Sequence, residues 1–288
     1  MRIPDLLKGL GRPFVSMELL PPRKEAEQEI FWRAVEKIKR MKPLFAAVTC
    51  GAGGTGSVGT LAVARDLAED HGFTVMPHVT CVHTAQIGLA GQIDAIRACS
   101  IRNALAVRGD FPEDAAEPPK GLAHASDLVE RILELAPELA VGVAAFPDGH
   151  PQSASLAEDI GFLKYKLDSG ASFAVTQLFF DNRRYFDMID RLAALGCHKP
   201  VIPSVLPVRT LGQIKRVTSL CDAPIPGKIL SLLEAAHDKG GDAAVREKGV
   251  DIAAAQIAGL LENGAPGVHL YPFNQPDMCA EILSRAGL

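Results

Sequence analysis

No apolar run in the 288-residue sequence reaches the roughly 18 residues that a membrane-crossing helix needs. The amino-terminal stretch MRIPDLLKGLGRPF is basic and short, and its apolar part is too brief for the core of a signal peptide. A cytoplasmic protein without membrane contacts is the expectation. A basic excess is missing as well. Thirty Lys and Arg stand against 34 Asp and Glu, a net charge of −4, which is not the electrostatic footprint of a nucleic-acid binder. The six cysteines (Cys50, Cys81, Cys99, Cys197, Cys221 and Cys279) form no CxxC pair, and no HxH pattern exists. Scattered reduced thiols and no metal site are therefore expected. Cys50 and Cys81 fall near two predicted strand ends, the one place where thiols could approach each other. Exact repeats and low-complexity tracts are also lacking. Charged residues make up only 22% against 48% hydrophobic, a balance that supports a large core rather than disorder.

What the chain does have is a rhythm. Short apolar or β-branched runs alternate with helical patterns, as in successive βαβ units. The candidate strands end near Glu18 (FVSMELL), Thr49 (FAAVTC), His78 (TVMPHVT), Arg108 (NALAVRG), Ala145 (AVGVAAF), Gln177 (FAVTQLF), Ser204 (VIPSVLP) and Tyr271 (GVHLYPF). The unbroken apolar character of AVGVAA suits a strand buried on both faces. Between the strands, the spacing predicts helices over 29–41, over 126–135 with Ser126 as its cap, and over 156–169 with Gly170 just past its end. The long interval before the last strand has room for extra helices near 211–220, 227–239 and 242–263. The expected architecture is α/β: a single (β/α)8 TIM barrel over 1–288 with extra helices before the last strand. An open doubly wound sheet is the alternative. Against it, no GxGxxG follows the first strand. The glycines of GAGGTGSVG follow the second strand, lack the GK[ST] of a phosphate loop, and are read as a flexible loop.

Barrel enzymes place their chemistry at the C-terminal strand ends. Here those ends carry Glu18, Thr49, His78, Arg108-Gly109-Asp110, Gln177 and Tyr271. A charged group at the end of a buried strand loses hydration and needs a partner or a task. Glu18 is either an ion-paired carboxylate or a general acid whose pKa is raised by Met17, Leu19 and Leu20. Asp110 reads equally as a loop cap or surface ion pair, and His78 as a satisfied core histidine. Gln177 either bonds neighbouring backbone or offers a donor and an acceptor to a heterocycle edge. The residues alone indicate a barrel enzyme with a Glu/Asp/Gln site and name no reaction.

The segments SMELLPPR, LFAAVTCGAGG, MPHVTC, ALAVRGD, VAAFPDGHP, DIGFLKYKLDSGASFAVTQLFFD, VIPSVLPV and HLYPFN follow one another through nearly the whole chain from Phe14 to Leu288. In this order they resemble the methylenetetrahydrofolate reductase family in its short bacterial form, without the regulatory domain of eukaryotic members. The resemblance implies a barrel that holds FAD, takes reducing equivalents from NADH or NADPH, and reduces methylenetetrahydrofolate to 5-methyltetrahydrofolate. It implies Glu18 as the acid that protonates the folate N10, and Asp110 as the group that steadies the resulting cation and tunes the flavin. Gln177 would contact the pterin, with Gln213, Tyr271 and Gln275 also on the substrate side. Flavin contacts would fall on Thr49, His78, Arg108, Gly109, Asp110, Ala125, Ala145, Phe146, His150, Asp159, Tyr165 and Lys166, with Arg108 and Lys166 suited to the diphosphate. A homo-oligomer is expected. Five positions depart from the family's pattern. Phe146 stands for a tyrosine and Val217 for an aromatic. Gln275 stands for an arginine, and Phe162 and Tyr165 for polar or basic residues near the adenosine half of FAD. Two alternatives stand beside this reading: a flavin-free reductase of the same fold, which the altered adenosine side motivates, and a subunit that needs a partner protein for electron delivery.

Overall fold

Eight apolar runs form strands: β1 Phe14–Leu19, β2 Ala46–Val48, β3 Val75–Thr80, β4 Asn103–Val107, β5 Ala140–Ala145, β6 Phe173–Leu178, β7 Val201–Val205 and β8 Gly267–Leu270. They pair in parallel and in sequence order, and β8 closes onto β1 in a barrel. This computed structural model describes residues 1–50, 57–82, 84, 88–109, 122–273 and 275–288. Of the glycine loop read over 51–59, residues 51–56 lie outside the described residues, as do Asp110 and Asn274, while 57–59 form the start of a helix rather than loop.

Helix α1 Ile3–Lys8 precedes β1, and helices follow the strands around the outside: α2 Glu25–Arg40, α3 Ser57–Glu69, α4 Leu89–Ala98, α5 Ala125–Leu135, α6 Leu156–Asp168, α7 Asn182–Ala194, α8 Leu211–Cys221, α9 Gly227–Glu262 and α10 Pro276–Arg285. The expected (β/α)8 barrel is therefore observed, with α8 and α9 as the extra elements before β8. The two helices expected over 227–239 and 242–263 run together as α9, broken by non-helical backbone at Gly240 and Gly241. Gly170 takes φ +115° just past α6, as a left-handed glycine should.

Two helix starts differ from expectation. Ser126 lies inside α5 and is buried. The cap position belongs to His124, whose backbone N–H donates to Asp127 Oδ2 at 2.9 Å. Helix α2 begins at Glu25 rather than Glu29, because its exposed first turn carries no apolar periodicity to read.

Strand alternation sorts the core into layers. Odd-numbered β1 residues Met17 and Leu19 pack outward into the layer between strands and helices. Phe14 faces inward with Phe45, Ala47, Met76, Leu105, Phe173, Val175 and Ile202. Helix α1 plugs the N-terminal end: Ile3 joins this inner cluster, and its N–H donates to Asn103 Oδ1 at 2.7 Å. Gly142 of β5 is required by close approach, since a Cβ there would lie 2.6 Å from the Phe173 ring. The barrel interior is thus packed, and the open end is the C-terminal one. Among the described residues, no helix is long and apolar enough to cross a membrane.

Candidate active site

The inward face of β1 climbs from Phe14 through Ser16 to Glu18, which reaches the barrel mouth. There Glu18 Oε2 lies 3.5 Å from His78 Nε2 of β3 and 3.7 Å from His269 Nε2 of β8. His269 is fully buried, and its Nδ1 lies 2.9 Å from Ser16 Oγ. Among the described residues neither imidazole Nε2 makes a hydrogen bond, and at these separations the contacts with Glu18 are electrostatic. Tyr271, just past β8, stands edge-on to His269 at 5.6 Å and donates its hydroxyl to the Thr176 carbonyl at 3.1 Å. The same carbonyl accepts from Ser204 Oγ at 2.7 Å. The Ser204 bond bridges β6 and β7 where their register shifts between Val175 and Leu178.

Burial by itself would push the Glu18 carboxyl up. The approach of His269 and the charge available on His78 and His269 outweigh it and hold the carboxyl below its ordinary value. This corrects the expectation of a raised pKa from Met17, Leu19 and Leu20. Met17 and Leu19 point away into the outer layer, so the carboxylate meets imidazoles instead. Burial pushes His78 down, which favours its neutral form at neutral pH.

A second group gathers where β4, β5 and α6 meet. Lys166 of α6 donates from Nζ to the Ala144 carbonyl at 2.6 Å and sits 5.8 Å from the Phe146 ring centroid. Burial drives its ammonium down to about 8, against the opposing pull of Asp159. Asp159, also buried, accepts from Ser153 Oγ at 3.1 Å. Phe146 meets His150 edge-on at 4.7 Å. Burial lowers His150. Arg108, at the end of β4, donates to Gln152 Oε1 at 2.6 Å, and Gly109 follows it with φ +80°. Thr49, next to the end of β1, donates its N–H to the Leu19 carbonyl, while its buried Oγ1 has no partner among the described residues.

The structure therefore gathers Glu18, His78 and Tyr271 on one side of the mouth. It gathers Arg108, Phe146, His150, Asp159 and Lys166 on the other. Gln177 lines a small crevice with Phe146, Gly149 and Cys221, and its Oε1 accepts from the Leu178 N–H at 2.8 Å. Ala145 ends β5 and Ala125 opens α5. Three residues stand apart. Gln213 is taken up by the α8 cap: its Oε1 accepts from Arg209 N at 2.6 Å and its Nε2 donates to Pro207 O at 3.1 Å. Gln275 is exposed before α10, and Tyr165 is exposed on α6. Ser16 and His269 were not singled out from the sequence. Counting back two residues from Glu18 and from Tyr271 along the inward face would have found both. Cys50 and Cys81 remain free thiols. Among the described residues, no group of three or more His, Cys, Asp or Glu is arranged to hold a metal ion.

The methylenetetrahydrofolate reductase family model matches residues 2–287. The chain belongs to the methylenetetrahydrofolate reductase family. It is 30% identical to the 5,10-methylenetetrahydrofolate reductase of Escherichia coli K12, over 99% of this chain and 94% of that one. It is 31% identical to a probable methylenetetrahydrofolate reductase (NADPH) of Caenorhabditis elegans, over 96% of this chain and 42% of that longer one. A Clostridium thermocellum protein described as binding two copies of 5-methyl-5,6,7,8-tetrahydrofolic acid has a TM-score of 0.65 over 98% of this chain and 97% of its own. At 12% identity it shares the fold. As a family member, the chain presents its Glu18–His78–His269 group and its Lys166 group across one barrel mouth.

Proposed function

We propose that the barrel mouth reduces 5,10-methylenetetrahydrofolate to 5-methyltetrahydrofolate, with NADH or NADPH as reductant and FAD as bound cofactor. The observation that carries this reading is the pairing of a buried carboxylate between two imidazoles with a half-desolvated ammonium on the opposite side. Reduction of a cyclic aminal needs a proton at one nitrogen, and a flavin dinucleotide needs cations for its diphosphate. FAD would supply the two-electron carrier between nicotinamide and folate.

The residues present suit that group. Lys166 is held by one carbonyl and an acidic neighbour in a site that weakens its charge, and an anion there would restore it. Arg108 lies on the adjacent strand end. Thr49 Oγ1 and His78 Nε2 are buried polar atoms without hydrogen-bond partners among the described residues, so a ligand with polar edges would satisfy them. Phe146 presents an apolar ring beside Lys166.

Glu18 delivers a proton to the folate N10, which opens the five-membered ring and leaves a cationic carbon on N5 to be reduced. Its imidazole neighbours orient the carboxyl, and a pterin ring closing the mouth would remove water and shift it toward the protonated form. Gln177, whose Oε1 accepts from the Leu178 N–H, would read a pterin edge with its Nε2. Asp110 joins the proposal on the family resemblance as the anion that steadies the cation.

The test is to assay the purified chain with FAD, a nicotinamide donor and methylenetetrahydrofolate, identifying the product by mass spectrometry. Formation of 5-methyltetrahydrofolate that depends on added or bound FAD is expected. Product formed at full rate by protein stripped of flavin would replace this reading with direct transfer from the nicotinamide.

A further inference from the structure

Arg209 carries a charge that no described residue answers. It stands four residues past the end of β7, in the loop that leads from the barrel mouth to α8. Its Nε is sealed from water without a hydrogen-bond partner, and the guanidinium enters no ion pair among the described residues. A desolvated donor without an acceptor costs the fold stability, and an anion supplied from outside removes that cost. The loop that presents it is fixed. Leu206 and Val208 are buried in one apolar cluster with Leu178 of β6 and with Tyr271. Helix α9 abuts it so closely that a Cβ on Gly249 would lie 1.9 Å from the Val208 carbonyl oxygen. Gln213 clamps the backbone, accepting from the Arg209 N–H at 2.6 Å and donating to the Pro207 carbonyl at 3.1 Å.

We propose that Arg209 binds a glutamate carboxylate of the folate, so that the site selects a substrate with a charged tail, and that Gln213 is the residue that positions it. This rests on the folate reading of the barrel mouth and adds to it the group that holds the far end of the substrate. The cations of the mouth divide between its two halves. Lys166 and Arg108 belong to the side of β4, β5 and α6. Arg209 belongs to the side of Glu18 and Tyr271, because β7 pairs with β8 and the Tyr271 N–H donates to the Val205 carbonyl at 3.4 Å. Gln177 stands on β6, which pairs with β7 from the other side. The anion that meets Arg209 is therefore carried by the folate rather than by the flavin diphosphate. Methylenetetrahydrofolate ends in a glutamate with two carboxylates, planar anions that match the fork of a guanidinium.

The test measures steady-state kinetics of the FAD-loaded protein with methylenetetrahydrofolate and with its diamide, in which both glutamate carboxylates are amides. The native chain should have the lower KM for the diacid. Arg209→Gln should raise KM for the diacid about ten- to hundredfold, the worth of a charge-assisted hydrogen bond. Its kcat should stay unchanged, as the loss of an interaction made equally in ground and transition states requires. Its KM for the diamide and its flavin half-reaction with the nicotinamide donor should also stay native. Arg209→Lys, which keeps the charge and loses the fork, should fall between. An unaltered KM for the diacid in Arg209→Gln overturns the proposal, as does an equal rise for the diamide, the mark of a general disturbance of the loop; either leaves the folate reading standing. A rise in KM for NADPH but not NADH, with the folate values native, assigns the guanidinium to the donor's extra phosphate and also overturns the proposal. A native chain that reduces neither folate refutes the reading of the mouth, and the tail contact with it.

Discussion

Replacing Lys166 with methionine should stabilise the flavin-free fold while weakening flavin binding. The ammonium is displaced by burial from its ordinary 10.5 to about 8. At about 1.4 kcal/mol per pH unit, that displacement costs the folded state about 3 kcal/mol at neutral pH. Methionine fills a similar volume without the charge. The Ala144 carbonyl then loses its donor, at a cost of about 1 kcal/mol, while Asp159 keeps its bond from Ser153. The net gain is about 2 kcal/mol, or roughly 4 to 8 °C in melting temperature for a domain of this class. The sign with pH is fixed. Below a pH of about 8 the lysine is charged both folded and unfolded, and the full cost applies. Between about 8 and 10.5 the folded protein gives up the proton first, so the native chain gains on the variant. Calorimetry of both proteins across that range reads the gap directly. A gap that stays constant with pH, or a variant less stable than the native chain near neutrality, would refute the reasoning. FAD affinity should fall at least tenfold, since a charge-assisted bond is lost.

Glu18→Gln should leave flavin reduction by the nicotinamide unchanged and slow folate reduction by about 10²- to 10⁴-fold, the usual worth of a general acid. Stopped-flow traces of the two half-reactions separate these, and equal loss in both would contradict the role. His269→Asn removes a neighbour that holds Glu18 low, so burial should then raise the carboxyl. Because the protonated form acts, the limb of the kcat/KM profile that falls with rising pH should move to higher pH. An unmoved limb would separate His269 from the acid. Gly142→Ala places a methyl group 2.6 Å from the Phe173 ring and should cost about 1–3 kcal/mol by overpacking. Adding Phe173→Leu should recover part of that loss, and a melting temperature that falls further in the double variant would reject the packing argument.

The barrel was legible because each buried run ends in a turn and a helix-spaced segment follows it. Even the break at Gly240–Gly241 could be read, since two glycines in a row weaken a helix at that point. The helix starts were less legible. Charged first turns carry no apolar period at α2, and at α5 the side chain of Asp127 caps backward onto His124. In the site, polar strand ends were visible one by one. Their partners were not, because Ser16 and His269 lie a layer deeper and His269 comes from β8, 253 residues after the Ser16 it pairs with. The direction of the Glu18 shift depends on which way Met17 and Leu19 face, which alternation implies once the strand's inward face is known.

The central claim is that this one barrel mouth passes reducing equivalents from a nicotinamide through a flavin to methylenetetrahydrofolate. The most direct measurement is the visible spectrum of the FAD-loaded protein without oxygen, first with NADH or NADPH and then with methylenetetrahydrofolate. The account predicts that the flavin band near ~450 nm bleaches on the first addition and returns on the second, with 5-methyltetrahydrofolate formed in equal amount. A band that neither donor bleaches, or one that stays bleached when the folate is added, would contradict it.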